Sequence, residues 1–159
     1  MFRLQTISRL LSSQPPDPRI FNMSAQTLFF KSSQFAVVGA SKDQTKFGTK
    51  ILKWYQNRDL TVTPVHPKED ELEGVKTVKN LAGLKSPAAT SVSIVTPPKV
   101  TLAVLKEGKE LGVPAFWIQP GAEDDDVRAY VTKEGLTEKV VIGGPCVLVN
   151  GDGIRQSLL

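Results

Sequence analysis

The sequence has a single cysteine, Cys146, and a single histidine, His66. One thiol cannot close an intramolecular disulfide, and no cysteine-rich metal site can be built from it. No apolar run approaches the ~20 residues that a membrane-spanning helix needs, so the sequence gives no reason to expect a membrane partner. Strong charge is missing from the body as well. The 159 residues carry a formal net charge of +4. Residues 1–33, however, hold four basic residues (Arg3, Arg9, Arg19, Lys31) against one acid, Asp17, which leaves 16 basic and 15 acidic residues in the rest. A nearly neutral body removes the electrostatic case for nucleic acid. The length suits one ordinary domain with a tail, and a second catalytic domain does not fit.

Residues 1–33 differ in character from the rest of the chain. MFRLQTISRLLSSQ contains no acid, and Leu4, Ile7, Leu10 and Leu11 would share one face of a helix with Arg9 on the other. That amphipathic, arginine- and serine-bearing pattern is that of a mitochondrial transit peptide, and a disordered extension has the same composition. Pro15 to Pro18 (PPDP) breaks any helix. Met23 offers a second start, which would give a form without the leader. The expected compartments are therefore the mitochondrial matrix, the cytoplasm, or both, and the folded domain is expected over 34–159.

From Gln34 onward, short valine- and isoleucine-rich runs alternate with helical patterns. Phe35–Val38, Thr61–Val65, Ser91–Val95, Ala115–Ile118 and Lys139–Ile142 have the length and composition of buried parallel strands. Between them, helices are expected over Phe47–Gln56, Val100–Leu111 and Asp124–Glu134, with a short turn near Asn80–Leu84. Repeated strand–helix units give an α/β fold, a Rossmann-like three-layer sandwich around a mostly parallel five-stranded sheet. After the last strand, VNGDGIRQSLL offers an Asn-Gly turn signal and no further assignment.

In such a sheet, ligands bind beyond the carboxyl ends of the strands, where the strand order reverses. The first of these ends, FAVVGASKDQTKFG, lacks the G-x-G-x-x-G dinucleotide fingerprint, since Ser41 and Gln44 stand where glycines would be required. It is not a P-loop either. It still has the parts of an anion site: Gly39 for the turn, amides opening the helix at Phe47, Ser41 as a donor, and Lys42 or Lys46 as a cation. After the second strand, VHPK places Lys68 where an NAD enzyme keeps a carboxylate for the ribose hydroxyls. A cation there suits a phosphorylated ribose, which coenzyme A and NADP both carry. His66 is either a ligand contact or a packed, hydrogen-bonded strand end.

The ordered set FAVVGAS, TPVHPK, VSIVTPP, AFWIQPG and IGGPC resembles the small single-domain CoA-binding proteins related to the CoA-binding domain of the succinyl-CoA synthetase alpha subunit. The resemblance covers Gln34 to Val149, and the ordered set carries it rather than any single motif. It implies that Gly39, Ala40 and Ser41, with Lys42, Asp43 and Gln44, hold the phosphates of CoA. It also implies that Lys68, beside Pro67, sits where the synthetases place a phosphate-pairing lysine, and that Thr96, Pro97 and Pro98 wall the adenosine and pantetheine. Lys46, His66 and Gln119 complete the expected cofactor-binding set. The synthetases' catalytic histidine belongs to a second domain with no counterpart here, so its chemistry does not transfer.

Three functions are compatible with these residues. The leading one is a module that binds coenzyme A or an acyl-CoA without catalysis, its partner a small-molecule nucleotide. A second is an NADP-binding oxidoreductase-like protein, although no Tyr-x-x-x-Lys pair follows a strand. A third is acyl-CoA processing through Cys146, a residue that is otherwise a small apolar filler. The acidic run Glu123 to Asp126 reads as helix-capping charge rather than a metal site. Trp54, Tyr55 and Trp117 read as core.

Overall fold

The computed structural model describes residues 25–159, so the leader and Met23 lie outside the described residues. A helix over residues 25–30 (α1) leads into β1 (Gln34–Val38), α2 (Phe47–Gln56) and β2 (Val62–Val65). A small antiparallel hairpin comes next, β3 (Glu71–Leu72) and β4 (Val75–Lys76), and then β5 (Thr90–Ile94) and α3 (Pro98–Glu110). The chain closes with β6 (Phe116–Ile118), α4 (Asp125–Lys133), β7 (Val140–Val141) and α5 (Val147–Gln156). The main sheet has five strands in the order β2-β1-β5-β6-β7, all parallel. The order reverses between β1 and β5, which are in register from Gln34 opposite Thr90 to Val38 opposite Ile94.

Two apolar layers hold the sheet, because its strands are buried on both faces. On one face Leu105, Val127 and Val131 from α3 and α4 meet Ala36, Val92 and Phe116. On the other, α1, α2 and α5 bring Phe29, Trp54, Tyr55 and Val147 against Phe35 and Trp117. The expected three-layer sandwich is the one observed. Phe29 lies 5.5 Å from the Trp117 ring in an edge-on arrangement, and its carbonyl accepts from the buried Ser91 hydroxyl at 2.7 Å. The packed body therefore starts ahead of the boundary that composition drew at Gln34.

Three elements depart from the sequence expectation. α3 starts at Pro98 rather than Val100, because proline at the first helical position loses no intrahelical bond and arrives with its φ preset. The hairpin β3–β4 was not expected. It turns through Glu73 and Gly74, both at positive φ (50° and 75°), as a two-residue turn requires. The Asn-Gly pair after Cys146 does not turn the chain: Asn150 and Gly151 lie inside α5. A Cβ at Gly151 would fall 2.6 Å from the Trp54 ring, so glycine is there to let α5 settle on α2. Local turn propensity gives way to that packing.

Candidate functional site

The switch point between β1 and β5 is shaped by two glycines. Gly39 ends β1 at φ 111°, and a Cβ there would stand 2.1 Å from the Val95 carbonyl oxygen. Gly48, in the first turn of α2, lies so close to the loop that a Cβ would be 2.2 Å from the Gly39 carbonyl oxygen. Gly48 thus provides the close helix–strand approach for which a dinucleotide fingerprint uses its third glycine. Sequence reasoning sought glycines at 41 and 44 and gave Gly48 no role. A glycine one residue into an otherwise amphipathic helix was the available signal.

The loop between these glycines is braced from within. Thr49, fully buried, accepts from the Ser41 N–H at 3.3 Å and donates its hydroxyl to the Ser41 carbonyl at 2.8 Å. The Asp43 N–H donates to Ser41 Oγ at 3.2 Å, which leaves the Ser41 proton free to point elsewhere. Asp43 Oδ1 accepts from the Thr45 hydroxyl at 2.6 Å and the Thr45 N–H at 2.9 Å. Those hydrogen bonds hold its carboxyl below the ordinary carboxylate range. Gln44 is occupied as well: it donates to Glu73 Oε1 at 2.7 Å and to the Lys42 carbonyl at 3.1 Å, and accepts from Lys53.

α2 leaves its positive end open. No side chain caps it, and no acid stands in its first turn. α4 behaves in the opposite way, with Asp124 accepting from the Val127 N–H at 2.9 Å and Asp125 and Asp126 in the first turn. Arg128 ties Glu123 and Asp125 at 2.9 and 2.6 Å, so the acidic run is the capping charge that the sequence suggested. Among the described residues no cluster of three or more potential ligands could hold a metal. Lys46 and Lys68, both exposed, pair with no acid among the described residues. Lys42 does pair, with Glu69 at 2.8 Å across the loops after β1 and β2. The hydrogen bond raises the lysine's pKa and lowers that of the carboxyl.

His66 is a structural residue of the β2 end. Its Nδ1 accepts from the N–H groups of Lys68 and Glu69 at 3.0 and 2.9 Å, which assigns the ring proton of the neutral imidazole to Nε2. Thr96 is linked to α3, its Oγ1 lying 2.8 Å from Thr101 Oγ1. Pro97 caps α3, and Pro98 opens it. Beside these ends, on the α3 face of the sheet, lies an apolar cleft of about 250 Å³ bounded by Val38, Val65, Pro67, Leu81, Val100 and Val104. A larger hollow, about 530 Å³, lies near Phe35 and Arg155 at the amino end of the sheet. Open α/β sheets bind ligands at carboxyl ends, and the smaller cleft is the one at that end.

The structure thus brings Gly39, Ala40, Ser41, Lys46, Thr96, Pro97 and Pro98 to the switch point, with His66, Pro67 and Lys68 beside them at the end of β2. Gln119 stands apart at the end of β6, buried, its Oε1 accepting from the Val147 N–H at 3.1 Å. Cys146 is only partly buried and starts α5, so it is not a core filler. Trp54, Tyr55 and Trp117 are all core. Burial pushes the Tyr55 phenol well above its ordinary pKa, and Ser93 lies 2.7 Å from its hydroxyl.

Comparison with known proteins identifies the family. The model of the CoA binding domain family matches residues 33–152, and the chain belongs to that family. An uncharacterized protein of Bacillus subtilis, YneT, is 29% identical over 119 residues, covering 75% of this chain and 85% of its own. The alpha subunit of an ADP-forming acetate–CoA ligase II from Pyrococcus furiosus is 36% identical over 88 residues, which is 54% of this chain but only 19% of the subunit. The solved structure of a conserved hypothetical protein from Pyrococcus furiosus superposes with a TM-score of 0.60 at 40% identity, covering 64% of this chain and 87% of that one.

Proposed function

We propose that this protein binds coenzyme A at the switch point between β1 and β5, as a binding module that needs no catalytic residue of its own. The observation that carries the reading is the uncapped, acid-free start of α2 beside an apolar cleft, in a chain of the CoA-binding family. The pyrophosphate would lie on the backbone of Gly39 to Ser41 and the first amides of α2, with the Ser41 hydroxyl and Lys46 adding a donor and a charge. Asp43 and Gln44 would contribute backbone only, since their side chains are engaged within the protein. The adenine would enter the cleft. Lys68 would face the ribose phosphate, and Lys42 would join it on leaving Glu69. The acyl group is not specified by these residues, and free CoA and an acyl-CoA share every contact named.

The test is substitution of Lys68 by alanine in the full chain, titrated with CoA and with dephospho-CoA. The expected result is a loss of ~1 to 3 kcal/mol for CoA and a smaller one for dephospho-CoA, the magnitude of a charge-assisted contact. Equal losses for both ligands would take Lys68 away from the ribose phosphate.

A further inference from the structure

The apolar cleft on the α3 face has walls that include Val38, Val65, Pro67 and Val104, and its polar residues are Lys79, Asn80 and Glu107. Asn80 and Glu107 are fastened to one turn from two sides. Asn80 Oδ1 accepts from the Gly83 N–H at 3.1 Å and caps the 3₁₀ turn Leu81–Gly83. Glu107, on α3, accepts from the Leu81 N–H at 2.5 Å through Oε1. Each side chain thus commits one atom to the turn. The other atom, Asn80 Nδ2 or Glu107 Oε2, has no hydrogen-bond partner among the described residues. Because Asn80 meets an N–H, its oxygen must face the turn, and its NH2 group is the free end. Asn80 is exposed and Glu107 half-buried, so a ligand in the cleft can reach both.

Size and chemistry together define what fits. About 250 Å³ is below the ~300 to 1,000 Å³ of a pocket that encloses a drug-sized ligand. The cleft therefore takes one ring system rather than a whole nucleotide or a pantetheine arm. An apolar slot with one free donor and one free acceptor matches a planar base that offers an acceptor beside a donor. Adenine does so, with its 6-amino group next to ring nitrogens that accept. A 6-oxopurine turns a carbonyl oxygen toward the carboxylate instead, and two acceptors repel. Lys79 carries a point charge with three rotatable donors, which distinguishes no base edge.

We propose that Asn80 and Glu107 select the base of the bound nucleotide, Glu107 Oε2 accepting from the 6-amino group of adenine and Asn80 Nδ2 donating to the ring nitrogen beside it. The inference rests on the CoA reading for the phosphates that bring the base to the cleft, and it adds base selectivity to that reading. Val38 and Val65 end β1 and β2, so the cleft adjoins the loop after β1 and the strand end that carries Lys68. The two selecting residues come from separate parts of the chain, 27 positions apart, and the Glu107 bond to the Leu81 N–H joins them. A base held there is gripped by its faces through apolar side chains and identified at its edge by two atoms.

The test titrates the full chain with CoA and with deamino-CoA, in which hypoxanthine replaces adenine while the phosphates and the pantetheine arm stay the same. The expected result is tighter binding of CoA by roughly 10- to 100-fold, the discrimination that one paired base edge supplies. Glu107→Gln keeps an oxygen for the Leu81 N–H and puts an amide donor where the free carboxylate oxygen stood. It should remove or reverse the preference for CoA, and the ratio of the two affinities cancels the effect of the lost charge. Asn80→Ser keeps a capping oxygen and removes the amide donor; it should weaken CoA roughly 10-fold at an unchanged melting temperature. Equal binding of CoA and deamino-CoA by the unaltered chain would overturn the proposal, as would a preference that Glu107→Gln leaves intact. NADPH and its deamino form separate the two readings. If CoA fails to bind but NADPH binds and its deamino form is rejected in a Glu107-dependent way, the CoA reading falls and the base site stands. If CoA binds at one site per chain and deamino-CoA binds equally well, the base site falls alone. If no adenine nucleotide binds, both fall.

Discussion

Gly48 and Gly39 fix the shape of the loop after β1 through the side chains they lack. In an ordinary helix, Gly48→Ala would gain up to ~1 kcal/mol from propensity alone. Here the added Cβ would press on the Gly39 carbonyl at 2.2 Å, and that neighbour is backbone that cannot rotate away. The clash wins, so the variant should be less stable in urea titration and bind CoA more weakly; a stable variant of unchanged affinity would show that the close approach is unnecessary. Gly39→Val should fail more severely, because it adds a side chain at φ 111° as well as a Cβ 2.1 Å from the Val95 carbonyl. Gly39 was legible in the sequence because it ends a Phe-Ala-Val-Val run. Gly48 was not, because its constraint comes from a backbone nine residues earlier. Asp43 and Gln44 were legible as loop residues, but the Gln44 partner Glu73 emerges only when the hairpin β3–β4 folds beside α2.

Among the elements, α5 was the least legible and its docking is the most open to test. Gly151→Ala would drive a Cβ to 2.6 Å from Trp54, a rigid ring packed beneath Arg58, whose guanidinium carbon lies 4.2 Å from the ring centroid. Overpacking of this kind costs ~1 to 3 kcal/mol, more than the helix-propensity gain, so the melting temperature should fall. An equal or higher melting temperature would mean that α5 can shift away from α2 freely. The same interface holds a two-pronged ion pair, Arg58 to Asp152 at 2.5 and 2.6 Å, and those hydrogen bonds keep the Asp152 carboxyl below its ordinary value. A depressed carboxyl contributes stability above its unfolded value of ~3.9 and loses it as pH falls through the folded value. Asp152→Asn should therefore melt below the unaltered protein at neutral pH and converge with it as pH falls below ~3.9 and through the lower folded value. A gap that persists in acid would assign the effect to packing instead. β1, β2, β5 and β6 were read almost to the residue, since valine-rich runs buried on both faces have no other stable place. α1 was lost in a leader whose composition looked uniform, although Phe29 belongs to the core and Phe30 packs against it.

At the scale of the whole molecule, fold and site depend on each other. Five parallel strands in the order β2-β1-β5-β6-β7 create a single reversal, and beside it lie the loop after β1, the turn into α3 and the end of β2, where the proposed ligand site sits. The sequence carried the strands and their alternation with helices because each strand end is marked by Gly or Pro chemistry, but not their order in the sheet. It could not carry the cleft, whose walls come from β1, β2, α3 and the 3₁₀ turn at Leu81. Family membership and site geometry converge on one ligand class. The most direct test is calorimetric titration of the full chain with CoA, with NADPH and NAD as comparators. Saturable binding of CoA at one site per chain, tighter than that of NADPH and far tighter than that of NAD, is the predicted result. A preference for NADPH, or no binding of CoA at all, would contradict the assignment of the loop after β1 to the pyrophosphate of coenzyme A.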